Sequence, residues 1–313
     1  MIVTDVANRV VIAGGTGFLG SALAAHFARE NDVVLLTRDH RRKTAATGAR
    51  LAAWTPDGMS AADGSAWGQE IDGAAAVVNL AGESIAARRW TSTQKQRILD
   101  SRVQATRTLV DAIRAAASPP PVFVSASAVG YYGLLEDRIV DEDAPSGDDF
   151  LARVCVQWEA EAGRAESPRT RVVCVRTGLP LAKDGGALPP MLLPFRFGVG
   201  GPMGSGRQYW PWIHRDDWVA MVAWAMRTPG VSGALNATGP QPAPNREFVR
   251  ALGRALHRPA FMPAPAFALK LLLGEMAGAL VLSGQRAVPA KAQRLGFVFR
   301  YPDLDRALQA IFA

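Results

Sequence analysis

Cysteine and histidine are scarce in this 313-residue sequence. The two cysteines, Cys155 and Cys174, form no CxxC pair, which excludes a disulfide framework and a cysteine-based zinc site as organising features. The four histidines lie far apart, without HxxxH or HxxE spacing, so we expect no metal. The low cysteine content is typical of a reducing cytoplasm, which is the location we predict.

Long uninterrupted apolar runs are also missing. The most apolar late segment, 264–282, is interrupted by Lys270 and Glu275 and falls short of the ~20 residues that a membrane span needs. The N-terminal segment has no positively charged region before its apolar stretch, which is atypical of a signal peptide. We therefore expect no membrane partner.

Lysine is rare as well: only five of the 35 basic residues are lysine, and the net charge of +7 is dispersed. Nucleic-acid binding requires a basic face with aromatic side chains for base stacking. No such face is visible, so we expect no nucleic-acid partner. The one dense basic run, from Arg38 to Lys43, is better explained by a local anion such as a phosphate.

Short apolar runs alternate with helical patterns through the first half of the chain. Strands are predicted at 9–13, 33–37, 75–80, 122–126 and 171–176, and helices at 18–30, 106–117 and 151–164. Unbroken Val/Ile/Leu runs indicate strands covered on both faces. The alternation predicts an α/β fold with a Rossmann-type, doubly wound parallel sheet, in the strand order 3-2-1-4-5-6.

The pattern changes after residue 178, where proline and glycine become frequent and short helical segments follow. We predict a Rossmann domain over 1–178, to which later segments can return. A smaller, mostly helical lobe on the substrate side is predicted over 179–313. Its helices are expected near 214–227, 246–256, 265–276 and 303–311.

A glycine-rich loop joins the first strand to the first helix. It contains the GxxGxxG spacing, in the run Gly14, Gly15, Thr16, Gly17, Phe18, Leu19 and Gly20. In such loops the glycines permit a tight turn, close approach of a pyrophosphate and close helix–strand packing, and the phosphates lie at the helix N-terminus. The alternative is a purely structural turn. The spacing favours the short-chain dehydrogenase/reductase type of Rossmann domain.

The end of the second strand indicates which dinucleotide is bound. An acidic residue there holds the adenine ribose of NAD, whereas a basic residue accommodates the 2′-phosphate of NADP. The strand ends in Thr37 and Arg38, which favours NADP. In the alternative interpretation, Asp39 binds the ribose and Arg38 points outward.

The chain resembles the atypical short-chain dehydrogenase/reductases called epimerase family proteins, or nucleoside-diphosphate-sugar epimerases, which carry a short C-terminal domain. The resemblance extends nearly from end to end and places the C-terminal domain from about residue 245. It rests on motifs that include 79–83 (NLAGE), 125–133 (SASAVGYYG), 158–159 (WE), 204–208 (GSGRQ) and 283–286 (SGQR).

The resemblance implies a bound NADP and a small-molecule substrate, and it allows a homodimer. It implies cofactor contacts at the glycine loop, at Thr37 and Arg38, and near Arg102, for which a surface salt bridge is the alternative. The adenosine is expected beside Leu80, Ala81 and Gly82. The nicotinamide end is expected beside the segment Arg176 to Pro180, where Pro180 replaces an aliphatic residue.

The usual proton relay of the wider superfamily is absent. Its Tyr and Lys lie in a YxxxK motif, in which the Lys lowers the pKa of the catalytic Tyr. The segment 150–161 has neither, and in one alignment Cys155 and Glu159 take their places. A carboxylate beside a proton donor raises the donor's pKa, so this pair should not reproduce the relay.

Other residues are therefore candidates for the chemistry. Ser127, at the end of the fifth strand, matches the superfamily's serine, with a loop-ordering role as its alternative. Tyr132 is a candidate acid, although it and Tyr131 can instead pack over the substrate mouth. His214 is either a general base or a residue that organises the following helix.

Two functions follow from these residues. The first is an NADP-binding enzyme of epimerase or oxidoreductase type, acting on a small carbonyl or sugar-nucleotide-like compound. The second is an NADP(H)-binding sensor or scaffold with little or no catalysis. The missing YxxxK favours the second, whereas the glycine loop and the complete second lobe favour the first.

Overall fold

The computed structural model describes residues 8–38, 48–57 and 66–313. Asp39 and the basic run 41–43 lie outside the described residues. In chain order the described strands are β1 (Arg9–Ala13), β2 (Asp32–Thr37), β3 (Arg50–Ala53), β4 (Ala76–Asn79), β5 (Val122–Ala128), β6 (Ile139–Val140), β7 (Arg171–Thr177), β8 (Leu179–Ala182), β9 (Gly185–Gly186), β10 (Tyr209–Trp210), β11 (Trp212–His214), β12 (Gly233–Ala237), β13 (Ala243–Pro244) and β14 (Arg286–Ala287).

The described α-helices are α1 (Phe18–Phe27), α2 (Ala66–Ile71), α3 (Ser92–Ala115), α4 (Phe150–Gly163), α5 (Leu188–Arg196), α6 (Arg215–Arg227), α7 (Asn245–Leu256), α8 (Ala266–Leu273), α9 (Ala290–Arg294) and α10 (Leu304–Phe312). Across residues 8–38, 48–57 and 66–313, every helix is too short or too polar to cross a bilayer.

A seven-stranded parallel sheet organises the chain, in the order β12-β7-β5-β4-β1-β2-β3. The predicted fold class and the order 3-2-1-4-5-6 are confirmed, with β7 as the sixth strand. β12 adds a seventh strand that was not predicted. Because β12 comes from the second half of the chain, part of that half contributes to the main sheet. The division of the chain at residue 178 remains a prediction.

Alternation along the strands builds a core on each face of the sheet. Val10 and Ile12 of β1 pack with residues of α1 and α6, whereas Val11 and Ala13 pack with residues of α2, α3 and α4. Both sets are buried because successive side chains of a strand point to opposite faces.

The helix predicted at 106–117 begins earlier, at Ser92. Its first half is polar and gives little apolar periodicity, but the Thr91 side chain caps the helix by accepting a hydrogen bond from the Gln94 N–H. The start of α6 is capped by His214, whose Nδ1 accepts from the Asp216 N–H. Of the two roles considered for His214, the structure shows the organising one.

The mostly helical second lobe has its own core, built from β8, α5, α7 and α10. The C-terminal segment is tied back to α6 by Asp217, which is 1% exposed. Its carboxylate accepts hydrogen bonds from the N–H groups of Arg300 and Tyr301, at 2.8 and 2.9 Å. One buried carboxylate thus joins the helix beside the sheet to the last segment of the chain.

Replacing Asp217 by alanine should lower the free energy of unfolding by about 3 kcal/mol, because two N–H groups lose a charged acceptor. Asp216→Ala is the matched control, since that side chain is 53% exposed and should contribute less than about 1 kcal/mol at the helix start. Urea denaturation compares the two variants. Equal, small losses would contradict the role assigned to Asp217.

Candidate functional site

At two positions of the glycine loop before α1, a side chain would clash with neighbouring backbone atoms. Gly14 has a φ of +77°, and a Cβ there would lie 2.6 Å from the carbonyl carbon of Leu80. A Cβ on Gly20 would lie 2.2 Å from the Gly14 oxygen. α1 follows Gly17, which provides no side-chain cap, and Thr16 and Gly17 are exposed. The first N–H groups of α1 are therefore available to an anion from solvent.

The loop after β4 is fixed against the glycine loop by Asn79. This side chain is fully buried. Its Oδ1 accepts from the Ala81 N–H at 3.1 Å, and its Nδ2 donates to Thr106 Oγ1 at 2.9 Å. The predicted contact residues Leu80 and Ala81 are therefore held beside Gly14, at the carboxyl ends of adjacent strands β1 and β4, and Gly82 follows them in the same loop.

Phe18 lies under the β8–β9 hairpin. A Cβ on Gly185 would lie 2.4 Å from the Phe18 ring. Pro180 belongs to β8 and pairs in register with Ile213 of β11. At the other end of the site, β2 ends at Thr37, and the following Arg38 is exposed to solvent.

Arg102 is partly buried beside Gly82, and it forms no ion pair with an acid in the described parts of the chain. Its Nη1 donates to the carbonyl oxygens of Glu83 and Ile98, both at 3.0 Å, and its guanidinium lies 5.2 Å from the centre of the Trp158 ring. Burial lowers the pKa of Arg102. The alternative of a surface salt bridge is therefore wrong: Arg102 supports the loop that carries Gly82.

A buried ion pair joins helix α4 to strand β7. The guanidinium of Arg176, from β7, binds both carboxylate oxygens of Glu159, from α4, at 2.9 Å each. Ser127, at the end of β5, donates its hydroxyl to Glu159 Oε1 at 2.6 Å. Strand and helix thus bring Ser127, Glu159 and Arg176 together.

The network continues from Arg176 to the edge of the sheet. Its Nη1 donates to the Tyr132 hydroxyl at 3.0 Å, and that hydroxyl donates to Asn236 Oδ1 at 2.7 Å. The guanidinium also lies 3.4 Å from the centre of the Tyr131 ring. The two predicted catalytic residues, Ser127 and Tyr132, are therefore joined through Glu159 and Arg176.

Protonation in this network follows from burial and charge. Burial raises the pKa of Tyr132 to about 12, although Arg176 acts in the opposite direction. Burial alone would lower the pKa of Arg176, but the contacts with Glu159 and Tyr132 outweigh it and raise the pKa. Burial raises the pKa of Cys155 to about 11. At neutral pH Tyr132 and Cys155 keep their protons and Arg176 keeps its charge.

Sequence reasoning missed the role of Glu159. It also missed the part of the hydrogen-bond network that runs beyond Tyr132 through Asn236 and Glu142 to Lys291. Glu142 accepts from the Asn236 N–H through Oε1 and from the Lys291 N–H through Oε2, at 3.0 Å each. These residues come from segments far apart in the sequence, so no local motif links them. Within the described parts of the chain, no group of His, Cys, Asp or Glu is arranged to hold a metal ion.

Comparison with known proteins agrees with this geometry. A model of the NAD dependent epimerase/dehydratase family matches residues 10–237. The chain belongs to this family. A second model, for a domain of unknown function (DUF1731), matches residues 264–311. The resemblance identified from the motifs is therefore confirmed.

Relatives of this epimerase/dehydratase family member cover nearly its whole length. It is 43% identical to the chloroplastic epimerase family protein SDR39U1 homolog of Arabidopsis thaliana, over 96% of this chain and 86% of the relative. It is 38% identical to epimerase family protein YfhF of Bacillus subtilis, over 97% and 98%. The crystal structure of human epimerase family protein SDR39U1 with NADPH matches at 38% identity, 97% and 99% coverage and a TM-score of 0.86.

Removing the acid of the buried ion pair should destabilise this family member strongly. In Glu159→Ala the charge of Arg176 remains buried without its partner, which should cost about 3–5 kcal/mol of unfolding free energy. Glu30→Ala is the matched control: its pair with Arg227 is exposed (77% and 62%) and should contribute less than about 1 kcal/mol.

Chemical denaturation of both variants measures the difference. A loss for Glu159→Ala as small as that for Glu30→Ala would contradict the buried character of the pair. The near-ultraviolet signal of the native state serves to confirm that both variants start from a folded protein.

Proposed function

We propose that the chain binds NADP(H) and acts as an epimerase or oxidoreductase on a small carbonyl or sugar-nucleotide-like substrate. The observation that carries this proposal is the cradle formed by Gly14, Gly17 and Gly20 at the open start of α1. Side chains on Gly14 or Gly20 would clash with backbone, which supports a site shaped for a diphosphate. The human relative crystallised with NADPH supports the same cofactor.

Each part of the site fits one part of this cofactor. The diphosphate would lie on the glycine loop, and the adenosine would lie beside Leu80, Ala81 and Gly82. Arg38, exposed at the end of β2, is suited to the 2′-phosphate, because a planar guanidinium can bind phosphate through two N–H groups. When bound, NADP(H) supplies hydride transfer.

The nicotinamide end is proposed to lie near Ser127 and the segment from Arg176 to Pro180. Arg176 uses its guanidinium in the ion pair, so a contact of this residue with the cofactor would involve its backbone.

Ser127 is the proposed catalytic residue. Its hydroxyl donates to Glu159 Oε1 at 2.6 Å. A substrate hydroxyl could pass its proton to Ser127 Oγ while Ser127 passes its own proton to Glu159. In the reverse direction Glu159 returns the proton to Ser127, which donates to the substrate oxygen. Arg176 holds the carboxylate in place and balances its charge.

Tyr132 is proposed to act through Arg176. Its hydroxyl is hydrogen-bonded to Arg176 and Asn236, and the residue is 2% exposed. With a pKa of about 12, the phenol keeps its proton at neutral pH. These contacts support a positioning role for Tyr132 and leave Ser127 as the group that touches substrate.

The alternative function, an NADP(H)-binding sensor or scaffold, is favoured by one feature: α4 contains neither Tyr nor Lys, and in one alignment Cys155 and Glu159 take the places of the YxxxK residues. Such a protein would bind the cofactor and show no turnover. A cytoplasmic location and a homodimer remain predictions for either function.

The first test concerns the cofactor. Arg38→Ala should weaken NADPH binding by about 1–3 kcal/mol and leave NADH binding nearly unchanged, because only NADPH carries the 2′-phosphate. Isothermal titration with both dinucleotides measures this. Equal losses for NADPH and NADH would show that Arg38 does not contact the 2′-phosphate.

The second test concerns catalysis. Reduction of a panel of small carbonyl compounds by NADPH should fall by about 10²–10⁴-fold in Ser127→Ala, with NADPH affinity retained. Ser125→Ala is the matched control, since that hydroxyl lies on the same strand and bonds to a neighbouring backbone carbonyl. Turnover unaffected by Ser127→Ala would refute the role of Ser127. Cofactor binding without any turnover of the wild type would favour the sensor.

A further inference from the structure

The helix α8 lacks the partner that its composition requires. Its sequence, AFALKLLL, is apolar apart from Lys270, yet none of its side chains is buried. Phe267, Leu271 and Leu272 are 74%, 79% and 71% exposed. A helix that is apolar all round is ordinarily buried in a core or against a membrane.

Further exposed apolar residues lie on two segments that adjoin this helix. The segment 200–204 runs beside 262–264, with hydrogen bonds from Met262 N–H to Gly200 O and from Gly204 N–H to Ala264 O. Phe197, Val199 and Phe261, at the ends of these two segments, are also exposed. We call these three residues with Phe267, Leu271 and Leu272 the apolar face. Contiguous exposed apolar patches of this kind indicate an interaction surface.

Positive charge predominates around the apolar face: the adjoining carboxylates Glu275 and Asp305 are already paired with Lys95 and Arg254. The segments 185–215 and 248–274 contain no Asp or Glu, although the chain has 28 acidic residues. Arg196, Arg250, Arg258 and Lys270 lie in these segments, and none of the four takes part in an ion pair among the described residues. Arg250 and Arg258 line one shallow pocket together with Phe261. The partner must therefore present negative charge next to apolar material.

We propose that the apolar face binds the surface of an anionic lipid bilayer. Phe and Leu side chains of this short apolar helix enter the boundary between headgroups and acyl chains, and flanking Arg and Lys bind lipid phosphates. Such an element lies on the bilayer, so the lack of a spanning helix among the described residues does not bear on it.

A second copy of the chain fits this face less well. A twofold interface places the same patch of both copies against each other. Arg196, Arg250, Arg258 and Lys270 would then meet their own counterparts, with no carboxylate in either segment to neutralise them. Like charges in such an interface oppose association.

Co-sedimentation of the full chain with vesicles tests the proposal. The protein should pellet with phosphatidylcholine vesicles that contain phosphatidylglycerol and remain in the supernatant with phosphatidylcholine alone. Raising the salt concentration should weaken binding. The variant Phe267→Gln/Leu271→Gln should bind at least about tenfold more weakly. Val298→Gln, which removes an apolar side chain that is 85% exposed outside the face, should bind like wild type.

Further variants test how much the basic side chains contribute to vesicle binding. Arg250→Gln/Arg258→Gln should lose about fivefold in partitioning per charge removed, whereas the exposed Arg138→Gln should lose much less. NADPH affinity, unchanged in all these variants, would show that they are folded. Failure to bind phosphatidylglycerol vesicles, or equal binding by all variants, would overturn the proposal. A different result would replace the membrane proposal with self-association. In that case the wild type would form a concentration-dependent dimer without binding vesicles, and the Phe267→Gln/Leu271→Gln variant would be monomeric.

Discussion

The buried guanidinium of Arg176 is the constraint on which the candidate site depends. A charge taken out of water inside a protein is tolerated only with a counter-charge and with hydrogen bonds for its N–H groups. Glu159 provides the counter-charge, and Tyr132 accepts a further N–H. Because Glu159 comes from α4 and Tyr132 from the turn after β5, the requirement to satisfy Arg176 of β7 fixes those three elements relative to one another.

The same constraint explains how this chain differs from the usual arrangement in its superfamily. There, a lysine lowers the pKa of a catalytic tyrosine. Here the equivalent helix carries Glu159, whose charge is balanced by Arg176 from the neighbouring strand. The ionised carboxylate is therefore tolerated in the interior, where it accepts a hydrogen bond from the Ser127 hydroxyl. The proposed proton relay thus joins a strand hydroxyl, Ser127, to a helix carboxylate, Glu159, and the glycine cradle lies between β1 and α1.

The parts of the fold and site that could be predicted are those encoded locally. Apolar runs and the GxxGxxG spacing identified five strands of the sheet, the cradle and α1, since each depends on residues close in sequence. The strand order came from the Rossmann fold class, and β3 (Arg50–Ala53) was not placed. The acid at Glu159 was interpreted as a defect, because its partner Arg176 belongs to the next strand and only the folded chain brings them together. The contacts of Arg102 could not be predicted either, because its hydrogen-bond acceptors are backbone carbonyls that only the folded chain brings to it. β12 escaped prediction because GALNA is short and begins with glycine.

A crystal structure of the complex with NADPH would test the central claim most directly. It should place the nicotinamide ring at the carboxyl end of β5, with Ser127 Oγ facing the space beside the ring and the Glu159–Arg176 pair intact. A nicotinamide ring remote from Ser127, or an Arg176 guanidinium that leaves Glu159 to bind a cofactor phosphate, would contradict the account.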